Sequence, residues 1–142
     1  MEKKEERSYL VGANTGGETL AFLEEILEAN GVPIPAMNQL SIILDELVSN
    51  IVKYSGAKQL LFGIAVREDN VRLIFDYNGD DFDVTKTKDP SLNGPAASRE
   101  IGGLGLLMVK KMADVFTYER QNEHNIVAIE KRYGPKAPKE KL

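Results

Sequence analysis

The chain has no cysteine, no tryptophan and one histidine, His124, in 142 residues. Without cysteine there is no disulfide scaffold, no thiol catalysis and no cysteine zinc site, and nothing points to an oxidising compartment. One histidine leaves little material for histidine-rich zinc catalysis or a serine-histidine triad. Long apolar runs are also missing: none approaches the ~18–20 residues of a membrane span. The charged start, Met1 to Arg7, lacks the hydrophobic stretch of a signal peptide. The expected compartment is therefore the cytoplasm, with no membrane partner. Nor does charge of one sign dominate. Eighteen basic against twenty-two acidic residues give a net charge of −4 with no basic stripe, so direct nucleic-acid binding is not expected.

What the chain does have is the composition of a soluble globular protein, 42% hydrophobic and 28% charged, at a length that suits one domain. Chains of this size bury roughly 68–70% of their unfolded surface. After the charged leader, Leu20, Leu23, Ile26 and Leu27 recur at helical spacing from Thr19 to Ala29, and Asn30-Gly31 suits a left-handed helix end. Apolar residues from Met37 to Ile51 keep the 3.6 period, which predicts a longer amphipathic helix over about 36–54. The period then changes. Residues 59–67 and 71–77 are rich in branched and aromatic side chains around Glu68-Asp69-Asn70, a hairpin signal. A long polar stretch to Gly102 follows, of a kind that is usually functional. A third helix is predicted over 104–113 and a second hairpin from 115–120 and 126–132 around residues 121–125. This order predicts an α+β two-layer sandwich, one mostly antiparallel sheet covered by helices on one face. The tail 134–142 is expected to be disordered.

Three constellations can carry chemistry. Glu46 and Asn50, four apart on the second helix, leave the same face. There an Asn can give its carboxamide oxygen to a magnesium ion, and a Glu can accept a proton from a nucleophile. In isolation the pair reads more readily as a solvated Glu and an Asn bonded to backbone. The second is Ile101-Gly102-Gly103-Leu104-Gly105, glycines running into a helix, where backbone N–H groups and the helix dipole favour phosphates. It is neither a Walker loop nor a Rossmann fingerprint, and a glycine-rich turn would look the same. The third is the acidic segment Asp76 to Asp83 at a strand end. A carboxylate there beside a glycine can accept a hydrogen bond from an exocyclic amine, which would select an adenine-like base, and an acidic turn is the plain alternative.

Taken in order, the helical Glu46-x-x-x-Asn50, the Asp/Gly turn after a hairpin, the long loop and the glycines opening a helix resemble the N, G1 and G2 boxes of the gyrase and histidine-kinase-like (GHKL) ATPase superfamily. The resemblance spans about residues 8 to 133. Within it, Leu44 to Ile51, Arg99 to Leu106 and Val109 to Asp114 are similar to the stand-alone anti-sigma-factor serine/threonine kinases. The resemblance implies the Bergerat-type fold as a single domain over 1–133, with an ATP lid over about 80–101. It implies ATP and Mg²⁺ as cofactors, Glu46 as general base and Asn50 as magnesium ligand. Asp76, Asn78 and Gly79 would stand at the base, and Gly102, Gly103, Leu104 and Gly105 at the phosphates. The implied function is an anti-sigma regulatory factor that phosphorylates a serine on a small antagonist protein and binds a sigma factor, with a homodimer among the expected assemblies. The alternative is a nucleotide-binding-impaired member of the same fold, acting as a protein-binding module. One departure stands out. The G1 aspartate position, two residues before Gly79, holds Tyr77, and Asp76 lies one residue earlier. On a strand one residue reverses the side-chain direction. Either a bulge returns Asp76 to the pocket, or Asn78 and water substitute for it, or adenine recognition is weakened or lost.

Overall fold

The computed structural model describes residues 2–86 and 103–134. The expected lid falls largely on 87–101, which with Gly102 and the tail from 135 lies outside the described residues. The described elements run β1 (Lys3–Leu10), α1 (Thr15–Ala29), α2 (Ile34–Tyr54), β2 (Gln59–Val66), β3 (Asn70–Tyr77), α3 (Gly103–Met112), β4 (Val115–Gln121) and β5 (His124–Arg132). The five strands form one sheet in the order β1-β2-β3-β5-β4, and all four pairings are antiparallel. The α+β sandwich expected from the alternating periods is present, with helices on one face.

Alternation along the strands sorts the two faces. Leu60, Phe62 and Ile64 on β2, Val71, Leu73, Phe75 and Tyr77 on β3, and Val127 and Ile129 on β5 are buried and join the helix stripe Leu40, Ile43, Leu44, Leu47, Val48 and Ile51 in one core. Phe62 stacks on Phe75 at 5.0 Å and meets Phe22 of α1 edge-on at 6.1 Å, arrangements that the ring quadrupole favours. Fully burying each such side chain contributes roughly 1.5–3 kcal/mol. Truncating Phe62 to Ala therefore costs about 3–5 kcal/mol, because the rings around it cannot close the gap.

The charged leader, to which the sequence reading assigns no element, is a strand. Lys3–Leu10 pairs along the whole length of β2 and forms the edge of the sheet. Its apolar content is too low for a strand pattern to show, and its charges suit an edge that must not recruit another chain. Arg7 lies over the Phe22 ring at 4.2 Å, so even this strand is fastened to the helical layer through a cation–π contact. Helix α1 starts four residues before the expected Thr19: the Thr15 hydroxyl accepts the Gly12 N–H at 2.8 Å and fixes the turn that enters it. The second hairpin closes more tightly than expected, through Asn122 and Glu123 at φ 49° and 68°, the left-handed pair of a two-residue turn.

Candidate active site

Helix α2 presents the first two site residues. Asn50 is buried at 6% exposure, and its Nδ2 donates to Glu46 Oε2 at 3.0 Å. The amide is therefore bonded to the carboxylate one turn earlier and not to backbone. The pair sits where α3 crosses: a Cβ built on Gly105 would overlap the Glu46 carboxylate. The absence of a side chain at 105 is what lets the two helices approach here, so this glycine has a packing reason beyond chain turning. Leu106 and Val109, both buried, dock α3 onto the core, and Lys131 Nζ donates to Met112 O at 2.8 Å at its far end. Gly103 and Leu104 lie in the first turn of α3, and Lys110 and Lys111 are exposed.

At the end of β3 the structure excludes one of the outcomes left open by Tyr77. The register runs without interruption from Val71 to Tyr77 against β2 and from Asn70 to Tyr77 against β5, so there is no bulge to turn Asp76 inward. Tyr77 takes the buried, helix-side position with 0% exposure. Asp76 leaves by the opposite, open face, where its Oδ1 lies 2.7 Å from His124 Nδ1 and lines a shallow depression of about 430 Å³ with Ser8, Leu61 and Asn78. Asp76 is thus not brought together with Glu46 and Asn50. The physical reason is the two-residue repeat of a strand.

The turn that follows is held by its own polar groups. Asn78 Oδ1 accepts the N–H groups of Lys58 and Gln59 at 2.8 and 3.1 Å. Gly79, at φ +95°, lies so close to the 55–57 backbone that a Cβ would come within 2.6 Å of Ser55 O, while Asp80 N–H donates to that same carbonyl at 2.9 Å. The carboxylates beyond are tied away: Asp81 accepts the Tyr118 hydroxyl at 2.8 Å, and Asp83 accepts the N–H and hydroxyl of Thr85. The Tyr77 hydroxyl donates to Phe82 O at 2.7 Å, and Phe82 rests against Tyr54 with ring centroids 6.2 Å apart. Burial, and then the neighbouring phenol of Tyr118 and the aspartates, hold the Tyr77 phenol far above its ordinary range. Tyr118 is pushed up to about 12, chiefly by burial and then by its bond to Asp81.

One residue at this site was not singled out from the sequence. Asn125, fully buried on β5, donates from Nδ2 to the carbonyls of Tyr77, Asn78 and Asp80 at 3.0–3.3 Å. Its Oδ1 accepts Phe82 N–H at 3.1 Å and lies 2.6 Å from the Tyr118 hydroxyl, whose single proton it shares with Asp81. A single amide thus fixes the whole 77–82 turn. The available signal was its phase: Asn125, Val127 and Ile129 alternate as the inward set of a strand, and a polar residue in that phase needs partners.

Chemically, the helix side offers a carboxylate and an amide side by side with a glycine opposite. That donor set fits an Mg²⁺-bound polyphosphate, with the cation drawing its remaining ligands from phosphate and water. No group of three or more acidic or histidine side chains arranged to hold a metal occurs among the described residues. No described helix is long and apolar enough to cross a membrane. No curated protein matches the sequence. The model of the histidine kinase-like ATPase domain matches residues 14–131, a span that contains Glu46, Asn50, Tyr77 and Gly105 and leaves only β1 and the chain ends outside. The chain belongs to the histidine kinase-like ATPase domain family.

Proposed function

We propose that this protein is an ATP-binding regulatory kinase of the anti-sigma type, which phosphorylates a serine on a small antagonist protein and binds a sigma factor. The observation that carries the chemistry is the Glu46–Asn50 pair, bonded at 3.0 Å and seated against Gly105. The likeness of Leu44 to Ile51 and Arg99 to Leu106 to the anti-sigma kinases supports the subfamily. Bound Mg-ATP supplies the transferable phosphoryl group and the charge that offsets its oxygens. The chain's own groups position and deprotonate: Glu46 accepts the proton of the attacking serine hydroxyl, Asn50 Oδ1 holds the cation, and the first turn of α3 turns backbone N–H groups toward the phosphates.

Phosphoryl transfer from labelled ATP to candidate antagonist proteins tests this reading. Glu46→Gln is expected to bind Mg-ATP and to lose on the order of 10²–10⁴ in transfer rate, the usual contribution of a general base. Asn50→Ala is expected to lose magnesium-dependent affinity. Equal turnover in Glu46→Gln and wild type would remove the assigned role. The placement of Asp76 on the open face favours a second reading, a protein-binding module with weakened nucleotide recognition. Clear magnesium-dependent ATP binding counts against it, and failure of Mg-ATP to bind, together with partner capture in a pull-down, supports it.

A further inference from the structure

The candidate site has two ends. Glu46, Asn50 and Tyr54 stand at i, i+4 and i+8 on α2, a row about 12 Å long. Gly105 meets the row at Glu46, and Phe82 meets it at Tyr54. If polyphosphate lies at the α3 end, as the proposed nucleotide site requires, the base lies at the Tyr54–Phe82–Tyr77 end. We infer that Tyr77 is the specificity-determining residue of that end, and that it leaves the site able to hold a purine nucleoside triphosphate without choosing between an amino and a keto purine. This inference rests on the nucleotide-site reading and adds its substrate selectivity.

Adenine is distinguished by an exocyclic amine that needs an acceptor, and guanine presents a keto oxygen in its place. The acceptors of Asp76, Tyr77, Asn78 and Asn125 are committed elsewhere, while Asp80 and Asp81 stand exposed to solvent. Asp76 faces the other side of the sheet and meets His124. The phenol of Tyr77 is fully buried and gives its proton to Phe82 O. Asn78 Oδ1 holds Lys58 and Gln59 N–H, and Asn125 Oδ1 holds Phe82 N–H and Tyr118. A carboxylate at position 77 would have projected to the helix side, and a phenol projects there in its stead. What remains for the base is aromatic surface, the half-exposed Tyr54 ring and Phe82, and stacking is indifferent to base identity because every base has a π-face.

Calorimetric titration of the full chain with ATP, GTP and inorganic tripolyphosphate, each with Mg²⁺, tests the inference. The expected result is binding of both nucleotides with dissociation constants within about threefold of one another, where a site built around a hydrogen-bonding partner discriminates by 10⁴ or more. Tyr77→Asp, checked for folding by circular dichroism, is expected to raise the preference for ATP over GTP at least tenfold. If that variant does not fold, the wild-type ratio decides. A wild-type preference above tenfold for either nucleotide overturns this inference and leaves the nucleotide site standing. A folded Tyr77→Asp protein with an unchanged ratio overturns the assignment to Tyr77. Absence of heat with all three ligands overturns both the inference and the reading beneath it.

Discussion

Replacing Gly79 by Ala isolates the contact that fixes the turn after β3. Its φ of +95° lies in the region that L side chains rarely adopt, and the added Cβ would stand 2.6–2.9 Å from Ser55 O, Ala57 N and Ala57 Cα, all of them backbone. Backbone cannot step aside as a side-chain tip can. The strain of a non-glycine residue there costs about 1–3 kcal/mol, and forcing the 55–57 turn away adds about 1–3 kcal/mol of overpacking. The same shift stretches the Asp80 N–H to Ser55 O bond and the two N–H bonds to Asn78. The total, about 2–6 kcal/mol, is a large share of the 5–15 kcal/mol typical of a folded domain. At about 2.1 cal/mol/K per residue of unfolding entropy, a chain of this length loses about 3–4 °C of Tm per kcal/mol, so a fall of about 7–20 °C is expected by calorimetry. Gly56→Ala is the control. It shares the positive φ, at +71°, but its Cβ meets only Asp80 Oδ2 at an ordinary 3.5 Å, so only strain of about 1–2 kcal/mol remains. If Gly79→Ala and Gly56→Ala melt together, the backbone contact is not what fixes this turn.

Gly105→Ala is expected to displace the Glu46 carboxylate, a flexible tip that yields cheaply, and so to lower Mg-nucleotide affinity at least tenfold while moving Tm by only a few degrees; calorimetry of binding and of melting on one sample separates the two. Asn125→Ala removes the partner of three carbonyls, one N–H and one phenol, and at about 1–3 kcal/mol for each buried group left unmet it should cost about 3–5 kcal/mol in urea unfolding after partial rearrangement. Alkaline titration, followed by the tyrosinate absorbance, should show Tyr77 and Tyr118 ionising above the ordinary range of a phenol. Because their folded pKa values lie above the ordinary value of 10, the unfolded chain releases these protons first, so this contribution to stability is complete below about pH 10 and is lost as pH rises toward 12 and beyond; stability that climbs through that range would contradict the burial of both phenols.

Much of this architecture is legible in one sequence because burial imposes a period. Leu40 to Ile51 repeat every 3.6 residues since only one stripe of α2 meets the sheet, and the two hairpins show their strands through branched and aromatic runs around short polar turns. Glu46 and Asn50 were found by the same arithmetic. What has no period escapes it. β1 is an edge strand of mostly charged residues whose partner, β2, begins nearly fifty residues later, so its conformation comes from pairing and not from its own preferences. Asn125 is the one polar letter in the inward set Asn125, Val127 and Ile129 of β5, and its partners lie up to 48 positions away.

The sequence by itself determined the α+β sandwich, the helical Glu46–Asn50 pair and the glycines that open α3, because each depends on spacings of a few residues. It also showed that Tyr77 occupies the place where an aspartate was expected. Only the tertiary structure decided what that replacement means. Whether Asp76 could turn inward depended on the register of β3 against two neighbours at once, and that register, once uninterrupted, sends Asp76 to the open face beside His124 and leaves a buried phenol on the helix side. Local sequence sets which way a side chain alternates, but the face that is the inside is chosen by what packs against it.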